Sequence, residues 1–285
     1  MKGCLRKIVI AQGGGPTAVI NHTLVGLVEA GRAHGVSTIW GSAFGIRGII
    51  ESQFYDLSHV TGETLASLAR QTGAVLGSTR DKPDDAYCRE VVALCQRHHV
   101  DAFFYIGGND TANTMLLLSD YALTTGYDLR CFHVPKTIDN DLVLSDHTPG
   151  FPSAARFVAL AFAGLNADQK SLPGVHIGIV MGRHAGFLTA SAALARFHQG
   201  DGPHILCLPE EAWHRERFLT AVKACYERYG RCLIACAEGV EDDKAVPLVH
   251  SLAASSQQDP HKDPHKDPHR SSWQCAAFGA WRVRR

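Results

Sequence analysis

Lys7-Ile8-Val9-Ile10-Ala11-Gln12-Gly13-Gly14-Gly15-Pro16-Thr17 opens as a β-branched apolar run, breaks on three glycines and passes into a stretch of helical period that lasts to about Ala33. A strand, a glycine turn and a helix in that order form a βα unit. The same alternation recurs down the chain. Further strands are predicted over Ser37–Trp40, Asp101–Ile106, Arg130–Val134, Val175–Met181, His204–Leu208 and Cys232–Ala237. Helices are predicted over Thr17–Ala33, Tyr87–His98, Thr111–Leu118, Ser153–Ala167, His184–Phe197 and Ala212–Arg228. Strands alternating with helices predict an α/β fold of doubly wound, mainly parallel sheets with helices on both faces.

The 285 residues suffice for about two domains at roughly 150 residues each, or for one large α/β unit. Hydrophobic residues at 45% and charged residues at 20% exclude a wholly disordered or collagen-like chain. Lys plus Arg and Asp plus Glu are equal at 28 each, which removes the broad basic field of a sequence-independent nucleic-acid binder. The longest clearly apolar run, Phe157–Leu165, is half of a bilayer crossing, and the apolar stretch in Met1–Ala11 is too short for a signal peptide, so neither a membrane nor a nucleic-acid partner is expected. Nine cysteines without a CxxC pair read as buried free thiols in a reducing compartment, with the cytoplasm as the default address.

After Val240 the βα period stops. The chain enters Ser251–Gln258 and then Asp259-Pro260-His261-Lys262, repeated as Asp263-Pro264-His265-Lys266 and Asp267-Pro268-His269-Arg270. Proline at every fourth position breaks any helix, so the histidines do not share a face as metal ligands, and residues 246–285 are expected to form a low-complexity, disordered tail. The abrupt change reads as a truncated or frame-shifted ending.

Four motifs carry chemistry, each where a predicted strand hands over to the following segment. Gln12-Gly13-Gly14-Gly15-Pro16-Thr17 is either a phosphate loop, with glycines admitting an anion to free helix amides, or a structural βα turn. Tyr105-Ile106-Gly107-Gly108-Asn109-Asp110-Thr111 offers an amide and a carboxylate that either hold Mg²⁺ or cap a helix. Pro135-Lys136-Thr137-Ile138-Asp139-Asn140-Asp141 places two carboxylates after a lysine: a base, an orienting or metal-binding partner and a cation for a phosphoryl group, or else a solvated acidic turn. In Val180-Met181-Gly182-Arg183-His184-Ala185-Gly186, Arg183 is either a fork onto phosphate or a surface arginine, and Arg80 is a second such cation.

Taken together, Gly13-Gly-Gly-Pro-Thr-Ala-Val-Ile-Asn21, Gly107-Gly-Asn-Asp-Thr111, Pro135-Lys-Thr-Ile-Asp-Asn-Asp141 and Met181-Gly-Arg-His-Ala-Gly186 resemble the phosphofructokinase family, in order and over about Lys7–Val240. The resemblance implies a phosphotransferase that phosphorylates the 1-hydroxyl of fructose 6-phosphate in glycolysis or gluconeogenesis, with magnesium, as a homo-oligomer. It implies a donor-phosphate domain over residues 1–140 and a partial sugar-phosphate domain over 141–245. Position by position, Asp139 resembles the base and Asp141 its assistant; Thr137 resembles the hydroxyl that touches the transferred phosphate, and Arg80 the arginine that neutralises it. Met181, Gly182, Arg183 and Glu238 match the sugar-phosphate site, while Gly13, Gly14 and Gly108 match the donor loops.

Donor choice follows from two positions of the resemblance. ATP-using relatives have glycine where this chain has Asp110 and Lys136; a carboxylate there repels the nucleotide's α-phosphate, and the lysine adds charge beside a small donor. Both resemble the pyrophosphate-dependent branch, an ATP-dependent enzyme being the alternative. Asn109 stands where many relatives have a magnesium-binding aspartate, and Asp110 shares the metal role. The family's His-x-x-Arg-Gly-Gly stretch after Glu238-Gly239 is not found, and Gly174 falls where many relatives place an arginine toward a neighbouring subunit. A second alternative follows, a non-catalytic remnant that binds phosphates or a full-length partner.

Overall fold

The computed structural model describes residues 5–242 and the strands Trp273–Cys275 and Ala280–Val283. The elements are β1 (Lys7–Gln12), α1 (Ile20–Ala33), β2 (Thr38–Ser42), α2 (Arg47–Ile50), β3 (Phe54–Asp56), α3 (Gly62–Ala69), α4 (Asp85–Arg97), β4 (Ala102–Gly107), α5 (Asn109–Thr125) and β5 (Arg130–Pro135). They continue with α6 (Phe151–Ser171), β6 (Val175–Val180), α7 (Phe187–Ala190), a 3₁₀ turn (Ser191–Ala195), β7 (Ile205–Cys207), α8 (Arg215–Tyr229), β8 (Cys232–Ala237), β9 (Trp273–Cys275) and β10 (Ala280–Val283). The chain forms two units: Met1–Thr137 with Thr148–Gly150, and Ile138–His147 with Phe151–Arg285.

The first unit is a sheet in the order β3-β2-β1-β4-β5, parallel except for β3. Its central strand is apolar on both faces because each face has a core. Ile8 and Ile10 pack with Ile20, Leu24 and Val28 of α1 and Leu65 of α3. Val9 and Ala11 pack with Val91 and Val92 of α4 and Met115 and Leu118 of α5. Burial of each such side chain contributes about 1.5–3 kcal/mol relative to exposure, so the doubly covered strand is a rigid base for the loop that leaves it. The strand order reverses between β1 and β4, and ligands of open α/β sheets collect outside the carboxyl ends of strands at such a switch. The two glycine motifs leave the sheet at that place.

The second unit has a sheet in the order β7-β8-β6-β10-β9. β7, β8 and β6 run parallel, and β8 is buried along its whole length. Leu233 and Ala235 pack with Ala155, Val158 and Phe162 of α6 on one face, and Ile234 and Cys236 with Phe218 and Val222 of α8 on the other. β10 pairs antiparallel with β6, Ala280 opposite Gly178, and β9 pairs with β10.

Several boundaries differ from the predicted ones for identifiable reasons. The predicted helix His184–Phe197 is two short pieces, because the Ser191 hydroxyl donates to the Leu188 carbonyl at 2.6 Å and tightens the chain into a 3₁₀ turn. α5 runs past Leu118 to Thr125 and stops at Gly126, which takes the left-handed conformation of a helix C-terminus. β3 and α3 were not predicted; β3 has three residues, two of them exposed, and so shows no period. The four-residue repeat and most of 246–285 lie outside the described residues, but β9 and β10 are strands where the tail was expected to be disordered. Cys88, Cys95, Cys131, Cys207, Cys225, Cys232 and Cys236 are free thiols, as expected, with Cys131 and Cys225 only half-buried. No helix among the described residues is long and apolar enough to cross a membrane.

Candidate active site

The loop after β1 is fixed by its main chain. Gly13 N donates to the Ile106 carbonyl of β4 at 2.8 Å, and Gly14 N donates to the Thr79 carbonyl at 2.9 Å. The Ser78 hydroxyl donates to the Gly14 carbonyl at 2.6 Å. Gly14 has φ +72°, a conformation that side chains disfavour, and a Cβ on Gly13 would stand 2.8 Å from the Tyr105 ring. Burial pushes the Tyr105 hydroxyl up to about 12, so the ring closes the loop from below as a neutral group.

Lys136 follows β5 and is brought to the same loop. Its side chain is buried, at 4% exposure, and Nζ donates to the Gly15 carbonyl at 2.7 Å. A Cβ on Gly14 would lie 3.7 Å from that Nζ, and one on Gly15 would lie 3.9 Å from Nη2 of the exposed Arg80. Gly13, Gly14, Lys136 and Arg80 are thus gathered around one loop with two cations over a glycine backbone, an arrangement suited to a small polyanion. Next to Arg80, Asp81 is held by Arg47 at 2.7 and 3.1 Å, and that guanidinium keeps the Asp81 carboxyl below its usual range.

Gly108 is the N-cap of α5, so Asn109 and Asp110 occupy its first turn, where the helix dipole favours negative charge. A Cβ on Gly108 would stand 3.7 Å from the Lys136 carbonyl. The Asp110 carboxylate is mostly exposed and pairs with Lys82 at 3.4 Å, a partner that the sequence reading did not anticipate. Asn109 is exposed beside it. An amide oxygen and a carboxylate oxygen are hard donors that suit Mg²⁺, which is usually held by one or two carboxylates plus phosphate oxygens.

Thr137 closes the first unit: its amide donates to the Pro149 carbonyl at 3.1 Å, and its carbonyl accepts from the Thr148 hydroxyl at 2.9 Å. In the second unit, Asp139 is half-buried and Asp141 exposed, on either side of Asn140 at φ +59°. Asn140 Nδ2 donates to the Asp146 carbonyl at 3.1 Å, which holds the turn that separates the two carboxylates. Asparagine tolerates that left-handed backbone better than most residues.

The sugar-phosphate candidates meet at the ends of β6 and β8. Glu238 N donates to the Val180 carbonyl at 2.9 Å, and Glu238 Oε1 accepts from Gly182 N at 3.4 Å. Met181 and Arg183 are exposed on the turn between, and Gly182 has φ +116°. Gly186 N donates to Glu210 Oε1 at 2.6 Å, closing that turn. Gly239, Glu210, Ser78, Thr79 and the Gln12–Asn21 pair were not singled out as site residues. Of these, Gln12 and Asn21 carried a signal, as amides at a strand end and in a helix within the first glycine motif, and Gly239 carried one only as a turn glycine.

The phosphofructokinase family model matches residues 7–266. The pyrophosphate–fructose 6-phosphate 1-phosphotransferase of Rhodospirillum rubrum is 50% identical over 256 residues, covering 90% of this chain and 63% of that protein. The enzyme of the same description from Xanthomonas campestris pv. campestris is 38% identical over 244 residues, covering 82% of this chain and 58% of that protein. The crystal structure of pyrophosphate-dependent phosphofructokinase from Marinobacter aquaeolei superimposes with a TM-score of 0.77 at 32% identity, covering 88% of this chain and 66% of that one. The chain thus spans less than two thirds of the length of these relatives.

Proposed function

The chain belongs to the phosphofructokinase family, and on that premise we propose that it transfers a phosphoryl group from pyrophosphate to the 1-hydroxyl of fructose 6-phosphate, releasing orthophosphate. The observation that carries the donor assignment is the buried Lys136 ammonium 2.7 Å from the Gly15 carbonyl, with its Nζ 3.7 Å from where a Gly14 side chain would begin. A fixed cation in that position takes up space and supplies charge to a compact anion. Asp110, in the first turn of α5, adds a carboxylate that opposes a nucleotide's α-phosphate.

In this reading Asp139 accepts the proton of the 1-hydroxyl as its oxygen attacks phosphorus, with Asp141 orienting the base. Thr137 donates to the transferred group, and Arg80 and Lys136 offset the charge that spreads over its oxygens. Met181, Gly182, Arg183 and Glu238 hold the sugar phosphate, and remote contacts of that kind position the reacting hydroxyl. Asn109 and Asp110 hold a divalent cation, Mg²⁺ in our reading, which neutralises phosphate charge when bound. We place the activity in the cytoplasm and in a homo-oligomer, by analogy with the family. The test is a coupled assay of fructose 1,6-bisphosphate formation with Asp139→Asn beside the unaltered chain; loss of product with pyrophosphate binding retained supports the base assignment, and retained turnover opposes it.

A further inference from the structure

Gln12 and Asn21 are the two most deeply buried amide side chains of the first unit, at 0% and 1% exposure, and each is fully engaged. Gln12 Nε2 donates to the Ile20 carbonyl at 3.2 Å and to Asn21 Oδ1 at 3.0 Å, while its Oε1 accepts from Leu76 N at 3.0 Å. Asn21 Oδ1 also accepts from Val75 N at 3.1 Å, and its Nδ2 donates to the carbonyls of Gln71 at 2.9 Å and Gly73 at 2.8 Å. These bonds hold an irregular segment that belongs to no helix or strand. Two residues beyond Leu76 the same segment locks onto the glycine loop through Ser78 and Thr79, and Arg80 follows at once.

We propose that Gln12 and Asn21 are positioning residues whose paired amides set the segment 71–80, and through it Arg80, against the glycine loop. The chemistry selects amides specifically. An amide ends in two donor hydrogens on its nitrogen and an acceptor oxygen beside it, and each of these side chains uses all of them. A carboxylate at either position would face carbonyl oxygens of Ile20, Gln71 or Gly73, and an apolar isostere would leave the amides of Val75 and Leu76 without acceptors. The consequence for phosphate binding rests on the phosphotransfer reading above; the relay itself does not.

The experiment uses the full chain, Gln12→Met, Arg80→Ala and the double variant. Hydrogen exchange is read at 74–80 against β1 and β4, and binding of inorganic pyrophosphate with Mg²⁺ and of fructose 6-phosphate is read by calorimetry. In Gln12→Met, exchange accelerates at 74–80 while the strands keep their protection. Its pyrophosphate affinity falls about tenfold, the order expected for one buried hydrogen-bonding group, while fructose 6-phosphate binds as before. The double variant binds pyrophosphate no more weakly than Arg80→Ala alone. Unchanged exchange at 74–80, or losses that simply add, would overturn the proposal. If Gln12→Met does not fold, Gln12→Asn, whose shorter amide draws back from Leu76 N without burying a charge, is read in its place with the same expectations. If the unaltered chain binds no pyrophosphate, it is the phosphotransfer reading that fails, and the exchange pattern alone decides the relay.

Discussion

A Cβ on Gly239 would stand 1.7 Å from the carbonyl oxygen of Arg183, so the turn after β8 and the turn after β6 meet backbone to backbone with room only for hydrogen. The contact fixes where Arg183 leaves the sheet. Gly239→Ala therefore has to move the turn 181–184. Overpacking of this kind costs about 1–3 kcal/mol. We expect a lower melting temperature and a KM for fructose 6-phosphate raised by roughly tenfold or more, with the KM for pyrophosphate unchanged. Steady-state kinetics with each substrate varied in turn checks the split, and equal effects on both would count against the assignment of this turn to the sugar.

Lys136→Met keeps most of the side chain's bulk and removes its charge. Loss of a fixed donor on the transferred group costs about 10²–10³ in turnover in comparable sites. The expected outcome is a loss of that order in pyrophosphate-dependent activity with little change in melting temperature, since Gly15 is exposed and its carbonyl can turn to water. A variant that retained activity would remove Lys136 from the chemistry.

Replacing both Asp110 and Lys136 with glycine clears the space and the charge that oppose a nucleotide. The ratio of kcat/KM for ATP to that for pyrophosphate should rise in the double variant. An unchanged ratio would contradict the steric account of donor choice.

Acid stability should depend on Asp201. The Lys170 ammonium, 2.8 Å from its Oδ1, holds the buried Asp201 carboxyl well below the usual range, and Asn166 Nδ2 and the amide of His198 add to the effect. A carboxyl depressed in the folded state stabilises above its unfolded value of about 4 and loses that contribution as pH falls below it. Melting temperatures between about pH 5 and pH 3 should therefore fall more steeply for the unaltered chain than for Asp201→Asn. Parallel curves would show that Asp201 does not carry the acid sensitivity.

The parts of the fold legible in the sequence are those in which a short range of residues decides the structure. β1, β4, β6 and β8 show as apolar runs ending on glycine or on a charged turn, because a strand covered on both faces needs no alternation. The donor loops followed from that, since their glycines sit where the strands end. What stayed hidden depends on distant partners. Leu76 lies 64 residues from Gln12, and Gln71 lies 50 from Asn21, so nothing local marks the amides as a relay. Gly239 is legible as a turn glycine, but its reason for being glycine is the Arg183 carbonyl. The break at Ser191 escaped notice because the apolar period continues across it while one hydroxyl bond alters the backbone.

Pyrophosphate as the phosphoryl donor is the central claim. The deciding measurement is fructose 1,6-bisphosphate formation by the purified, folded chain with fructose 6-phosphate and Mg²⁺, supplied with pyrophosphate in one reaction and ATP in the other. Product with pyrophosphate and none with ATP is the predicted result. Comparable product with ATP, or a folded chain inert with pyrophosphate, would contradict it.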